Sequence, residues 1–338
     1  MKKATLCAAL MLLGSLALQA VPTDVTYAEG EATIKSKAGK QQEASIGDVM
    51  NTGDTVRTGT AGLVELDQKG ITLKLSPNTV LTLMERERGG GASPVLSVAL
   101  GSLKLRFDKL TGKEPMIRTN GATGGVRGTE LSVFSGADGS TLFVVDSGQV
   151  RVEAGGESVD LAAEEAVEVR LGQAPGGKFT VHRDQVDYAK WNEDKRAAML
   201  ADPAAAMTGI EIAMASYIKD VEQYDALFKE YSAKLADERA ARVKITEAKG
   251  KGEGERYENE VVFPLMNQTS ALGLNLRYST LAALSLRRYV GGRLYLFLKA
   301  KYIARPDEAE WTGFLSRFNA LLSDFEKSIA PHLVEADI

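Results

Sequence analysis

The chain has almost no side chains of the kind that make metal or thiol chemistry. Its 338 residues include one cysteine, Cys7, and two histidines, His182 and His332, far apart. With Cys7 removed in an apolar leader, disulfide scaffolds, thiolate zinc sites and cysteine nucleophiles are excluded. The two histidines have no metal-ligand spacing and are expected at the surface; no metal and no cofactor is expected. Net positive charge is also lacking: 41 Lys and Arg stand against 45 Asp and Glu. A general nucleic-acid binder carries a basic footprint, so nucleic acid is not an expected partner. No Gly-x-Ser-x-Gly segment occurs, and no Ser-His-Asp arrangement can be argued. Gly121-Ala-Thr-Gly-Gly125 lacks the Lys-Ser/Thr of a phosphate loop. Glu164-Glu165 has no acid/base partner nearby in sequence. A non-enzymatic protein is expected.

What is present begins with an address. Lys2 and Lys3 precede an uncharged run from Ala4 to Leu18, and Leu18-Gln-Ala20 offers a small residue at a cleavage site. This is the pattern of a cleaved signal peptide over residues 1–20, which implies an exported, periplasmic chain. The run is too short for a spanning helix.

The remainder is written in two grammars. Residues 21–185 hold 24 of the 33 glycines, and residues 186–338 hold 8. In the first stretch apolar residues alternate in short bursts: Ile71 to Leu75, Leu103 to Phe107, Glu130 to Phe134, Gln149 to Val152, Ser158 to Leu161 and Ala166 to Val169. Alternation at period two marks strands with one buried face. An all-β domain over 22–180 follows, as a short-stranded solenoid, roll or sandwich; no repeat length chooses among them. From Pro203 the period changes. Met207, Ile210, Met214, Tyr217, Val221, Tyr224, Phe228, Tyr231 and Leu235 step by three and four, a coiled-coil-like seam. Asp202-Pro203 supplies its start. Lys249 to Glu255 reads as a turn or linker, Pro264 and Gly291-Gly292 as breaks, and Asp307 as the start of a last helix with a seam from Trp311 to Ile329. An α-helical bundle over 186–338 is expected, giving an α+β chain of two segregated domains.

Four elements in the β half carry a family resemblance: Gly53-Asp-Thr-Val-Arg-Thr-Gly59; Gly62 to Leu66 followed by Gly70 to Thr79; Leu100-Gly-Ser-Leu103; and Val126-Arg-Gly-Thr-Glu-Leu-Ser-Val133 with Val144 to Val150. Over roughly residues 45–170 the chain resembles the FecR domain family. The resemblance implies an extracytoplasmic β domain. In the founding members it relays an iron-chelate uptake signal from an outer-membrane receptor to a cytoplasmic sigma factor. Those members carry a sigma-binding segment and a spanning helix ahead of the domain. Only three residues precede the apolar run here, so neither is expected, and a helical half stands where the family has a small receptor-contacting domain.

Two features point to recognition. Arg127, between Val126 and Gly128, either clamps backbone or binds an anionic ligand. Between Val261 and Pro306 lie seven basic residues and no acidic one. Either they pair with acids across the helices, or they form a basic face for an anionic envelope polymer, lipid headgroups or an acidic partner. Arg127, Arg287, Arg288 and Arg293 are the candidate ligand- or partner-binding residues. The expected role is an envelope binding scaffold; the alternative is an accessory or sensor in extracytoplasmic signalling linked to iron-chelate uptake. An envelope protein or receptor is the expected partner, with self-association through the helical seam.

Overall fold

The computed structural model describes residues 22–88, 91–107 and 114–335. Residues 1–20, over which a signal peptide is expected, lie outside the described residues. Among the described residues fifteen strands come first: β1 (Thr23–Glu29), β2 (Ala32–Lys35), β3 (Gln41–Glu43), β4 (Val49–Met50), β5 (Thr55–Thr58), β6 (Leu63–Asp67), β7 (Ile71–Leu75), β8 (Val80–Arg88), β9 (Gly91–Phe107), β10 (Met116–Arg118), β11 (Thr123–Ser135), β12 (Thr141–Ala154), β13 (Glu157–Ala162), β14 (Glu165–Val169) and β15 (Phe179–Thr180). Helices follow: α1 (Tyr188–Ala201), α2 (Pro203–Lys249), α3 (Lys251–Tyr257), α4 (Phe263–Tyr289), α5 (Tyr295–Tyr302), α6 (Ala309–Ser328) and α7 (Pro331–Glu335). Each alternating burst of the sequence lies inside a strand.

The strands form one sheet that folds around a single core running from Val25 to Val169. Three long strands make this possible by changing partners midway. Up to Leu100, β9 pairs with β8; from Gly101 onward it pairs with β7 on one edge and β11 on the other. Gly101 sits at the switch with φ of +103°, where a Cβ would lie 2.3 Å from Thr79 Oγ1. Strand β12 likewise pairs with β14 through Thr141–Val144 and with β13 through Gln149–Ala154. At that bend Gly128 of β11 has φ of +68°, and the β11–β12 register shifts between Arg127 and Thr129. A bulge of this kind turns a strand, and glycine tolerates it. The Val-Arg-Gly-Thr segment therefore marks a corner.

The Gly-Asp-x-Val-x-Thr-Gly segment is structural too. Asp54 is buried, and its two carboxylate oxygens accept from the backbone of Lys37 and Asn51, each at 2.8 Å. Thr58 Oγ1 donates to Ser76 O and accepts from Thr79 N. Each such bond satisfies a loop group that burial would otherwise leave unpaired.

In the helical half, Asp202 caps α2 by accepting from Ala205 N at 2.9 Å. The α2 helix runs 47 residues, about 70 Å at 1.5 Å per residue. The chain turns at Gly250, with φ of +91°, and returns as one rod from Lys251 to Tyr302. Here the structure corrects three sequence expectations. Lys251–Tyr257 is helix, and the linker shrinks to Gly250. Pro264 and Gly291-Gly292 do not break the rod; Pro264 follows the π-helical turn Glu258–Val262, and the two glycines lie within the π-helical turn Val290–Leu294. Pro264 lacks an N–H, and at the second position of α4, after a turn whose bonds reach five residues back, it interrupts nothing essential. The helix expected from Asp307 is α6; it begins two residues later, with Glu308 at its cap, and the short α7 follows it.

The seam of α2 is satisfied within the chain. Met207, Ile210, Met214 and Val221 are buried with Leu276, Leu286, Phe314, Phe318 and Phe325 of α4 and α6. Beyond Phe228 the three-helix packing ends. The outer hairpin buries Leu235, Val262 and Leu265 against residues of its own two arms. Among the described residues no helix is long and apolar enough to cross a membrane.

Candidate functional site: a basic cleft where the halves meet

The halves are joined by long-range contacts. Met84, Val95 and Met116 of the sheet pack on Tyr278 of α4. Phe134 stacks on Tyr188, which contacts Trp191 of α1, and Trp191 Nε1 donates to Glu168. Tyr289 at the end of α4 donates to Ala137 O in the β11–β12 turn.

This docking leaves a cleft of about 620 Å³ between the outer face of β2–β5–β8 and the rod around residues 285–293. Strand alternation decides the sheet wall. Ile34 and Val56 point into the core, so Lys35, Thr55 and Arg57 point outward. Register then sets Thr33 opposite Arg57 and Lys35 opposite Thr55. Thr55 and Thr82 share a hydroxyl–hydroxyl bond of 2.8 Å. The opposite wall repeats at helical spacing: Ser285, Arg288, Tyr289, Gly292 and Arg293.

The cleft's charge is of one sign. Among the described residues Lys35, Arg57, Arg288 and Arg293 line it, and no carboxylate, histidine or cysteine does. Burial, then the nearby Arg57 charge, pushes the half-buried Arg293 guanidinium below the ordinary arginine value, against the opposing pull of the Tyr188 and Tyr289 oxygens. Burial and then Arg287 do the same to Arg288. Arg288 is the more exposed of the two, and Arg293 is half-buried. Both remain charged. Like charges held together without acids cost stability, and the chemistry open to such a lining is charge complementarity and hydrogen bonding.

The sequence-derived candidates divide. Arg288 and Arg293 come together in the cleft. Arg287 turns the other way: it donates to Glu326 at 3.0 Å and lies over the Phe325 ring at 4.8 Å, tying α4 to α6. Arg127 lies on β11, but its side chain is outside the described ones. Lys301 and Arg305 pair with Glu310 and Glu308. Acid pairing thus accounts for Arg287, Lys301 and Arg305 of the basic stretch and leaves Arg288 and Arg293 to the cleft. Sequence reasoning missed Lys35 and Arg57. Their outward phase on β2 and β5 was a usable signal, but nothing local tells that a helix covers that face.

A second cleft of about 850 Å³ lies beside β10–β13. It mixes charges that pair with one another, as Lys178 does with Glu165 at 2.8 Å. Among the described residues no group of three or more His, Cys, Asp or Glu could hold a metal ion.

No family model matches the chain, and no curated protein matches it. Two crystal structures of a candidate anti-sigma factor from Parabacteroides distasonis ATCC 8503 are similar to it. The first, at 1.65 Å resolution, shares 15% identity over 40% of this chain and 63% of its own, with a TM-score of 0.34. The second, at 2.50 Å, shares 14% over 37% and 59%, with a TM-score of 0.31. Both matches span under two thirds of the other chain.

Proposed function

We propose that the chain is an exported, non-enzymatic binding protein of the cell envelope that recognises its ligand or partner at the junction cleft. The sheet is the rigid base, and the helical hairpin is an arm set on it. One observation carries this reading: among the described residues, each half supplies two of the four cations of a cleft that no acid lines. Sites at domain junctions recur because two rigid bodies present side chains that neither could converge alone. Export rests on the apolar run of residues 4–18.

The test is crosslinking in cells from a photoreactive residue at Ser285, inside the cleft, against one at Lys251, at the hairpin tip. The expected result is a product specific to position 285. Products from position 251 alone would overturn the cleft as the recognition site.

The second reading is an accessory or sensor in extracytoplasmic signalling. In its favour stand the descriptions of the two solved chains as candidate anti-sigma factors. An inner-membrane regulator among the position-285 products would select it over a scaffold. Self-association would need a surface other than the α2 seam, which the chain buries itself; light scattering measures it.

A further inference from the structure

We infer that the junction cleft is a site for a compact ligand carrying two or more phosphate groups. The inference rests on the reading of the cleft as the recognition site and adds the ligand's chemistry.

Charge count comes first. Four cations and no carboxylate line one cavity of about 620 Å³. One singly charged anion leaves most of that repulsion in place, whereas an oligophosphate matches it. Donor geometry comes second. Three of the four cations are arginines, whose planar forks pair bidentately with phosphate oxygens, and they reach in from both walls. The remaining polar lining is chiefly hydroxyls, those of Thr33, Thr55, Thr82 and Ser285. Such groups also donate to oxygen, so the ligand supplies acceptors. Third, no aromatic face is offered. Tyr289 is only 4% exposed, and its hydroxyl is engaged by Ala137. A sugar or base would have nothing to stack on, so the anion itself is recognised.

Gly292 adds an independent observation. No atom lies within 4 Å of a Cβ built there, and its φ is outside the left-handed region. Neither packing nor backbone conformation requires glycine, and glycine weakens helices. It lines the cleft, where its missing side chain leaves room for a ligand to approach the rod.

The probe is inorganic tripolyphosphate, titrated calorimetrically into the purified full chain at two salt concentrations. We expect binding that weakens with salt. The paired substitution Arg57→Gln and Arg293→Gln should lower affinity about 100-fold, from two lost charged contacts. The unliganded variant should melt no earlier than the parent, because it loses repulsion and no partner. Gly292→Leu should weaken binding at least about 10-fold with the fold intact. Absence of binding, affinity unchanged in the paired variant, or citrate binding as tightly as tripolyphosphate would each overturn the phosphate assignment. If tripolyphosphate fails while Gly292→Leu still abolishes the position-285 crosslink, the ligand class falls and the recognition site stands. If the crosslink is absent too, both fall. Flotation with phosphatidylcholine vesicles, with and without cardiolipin, whose headgroup carries two phosphates, then separates a headgroup from a free oligophosphate. Lipid-dependent flotation that tripolyphosphate abolishes assigns a headgroup; tripolyphosphate binding without flotation assigns a soluble ligand.

Discussion

Arg118 is 2% exposed, and its guanidinium lies 5.0 Å from the Tyr217 ring and 5.6 Å from the Tyr278 ring. One terminal nitrogen donates to the Tyr217 hydroxyl; the other has no partner. Burial opposes its charge, but the Tyr217 and Tyr278 oxygens more than restore it, and the pKa stays above the ordinary arginine value. The side chain thus locks α2 and α4 onto β10 through stacking. Arg118→Ala should cost about 3 kcal/mol, by leaving a void between two rings. Arg118→Met should cost less than about 1.5 kcal/mol, since it fills that space and removes the orphaned nitrogen. Urea denaturation measures both; equal losses would make the charge, rather than the volume, the lock. Two glycines should behave oppositely. Gly101→Ala meets Thr79 Cα at 2.4 Å at a left-handed φ and should lose about 2–4 kcal/mol. Gly292→Ala should be neutral or stabilise by up to about 1 kcal/mol. Sequence reading could not rank these glycines, because the difference lies in what stands across from each one. For the same reason it chose Arg127 beside a corner glycine and passed over Arg118, which sits in an unremarkable Met-Ile-Arg.

At the scale of elements, the hairpin divides by how many helices cover it. Its base is packed by α6; its outer part buries Leu235, Val262 and Leu265 between two arms, with Tyr231, Tyr257 and Met266 half-buried against them. Low contact density implies low opening free energy. Amides of residues 236–249 should exchange faster than those of 207–228 by at least about 10-fold under native conditions, and equal rates would place the whole hairpin in one cooperative unit. A second element-level device is Arg317 on α6. It donates to both carboxylate oxygens of Glu211, at 2.8 and 2.6 Å, and to Ala204 O and Thr208 Oγ1. Those Arg317 hydrogen bonds hold the Glu211 carboxyl below its ordinary pKa. A depressed folded pKa stabilises above the unfolded value and loses that contribution as pH falls through the folded one. The α2–α6 contact should therefore weaken on acidification below the ordinary carboxylate range, and Arg317→Leu should flatten that acid limb in thermal melts. The seam positions of α2 and α6 were legible because periodicity is local. The continuity of the return rod was not, because proline and glycines that usually end helices sit here at π turns.

For the whole molecule, the change from period two to period three-and-four divides strands from helices, and that division is written in composition. The join between them is not. Arg118 meets Tyr217 across 99 residues, Tyr289 meets Ala137 across 152, and Asn275 accepts from Glu87 N across 188. No short-range pattern encodes pairs so distant, which is why half of the cleft's cations escaped sequence reading. The same contacts decide how the molecule unfolds. Leu171, from the end of the sheet, is buried in the helical core, and Gly209 of α2 is packed so closely on it that a Cβ would lie 2.4 Å from Leu171 O. Tyr278 serves both the Met84–Val95–Met116 cluster and the Arg118 sandwich. Docking through apolar surface and a buried cation couples the halves, so calorimetry of the parent chain should show one transition. Tyr278→Ala strips one ring from Arg118 and opens the apolar cluster at once. It should lower stability by about 3–5 kcal/mol and split the transition in two, the sheet melting separately from the bundle. A single, merely shifted transition in Tyr278→Ala would mean that the Leu171–Gly209 and Phe134–Tyr188–Trp191 contacts alone suffice to couple the halves. The cleft between them would then keep its shape even with one of its supports removed.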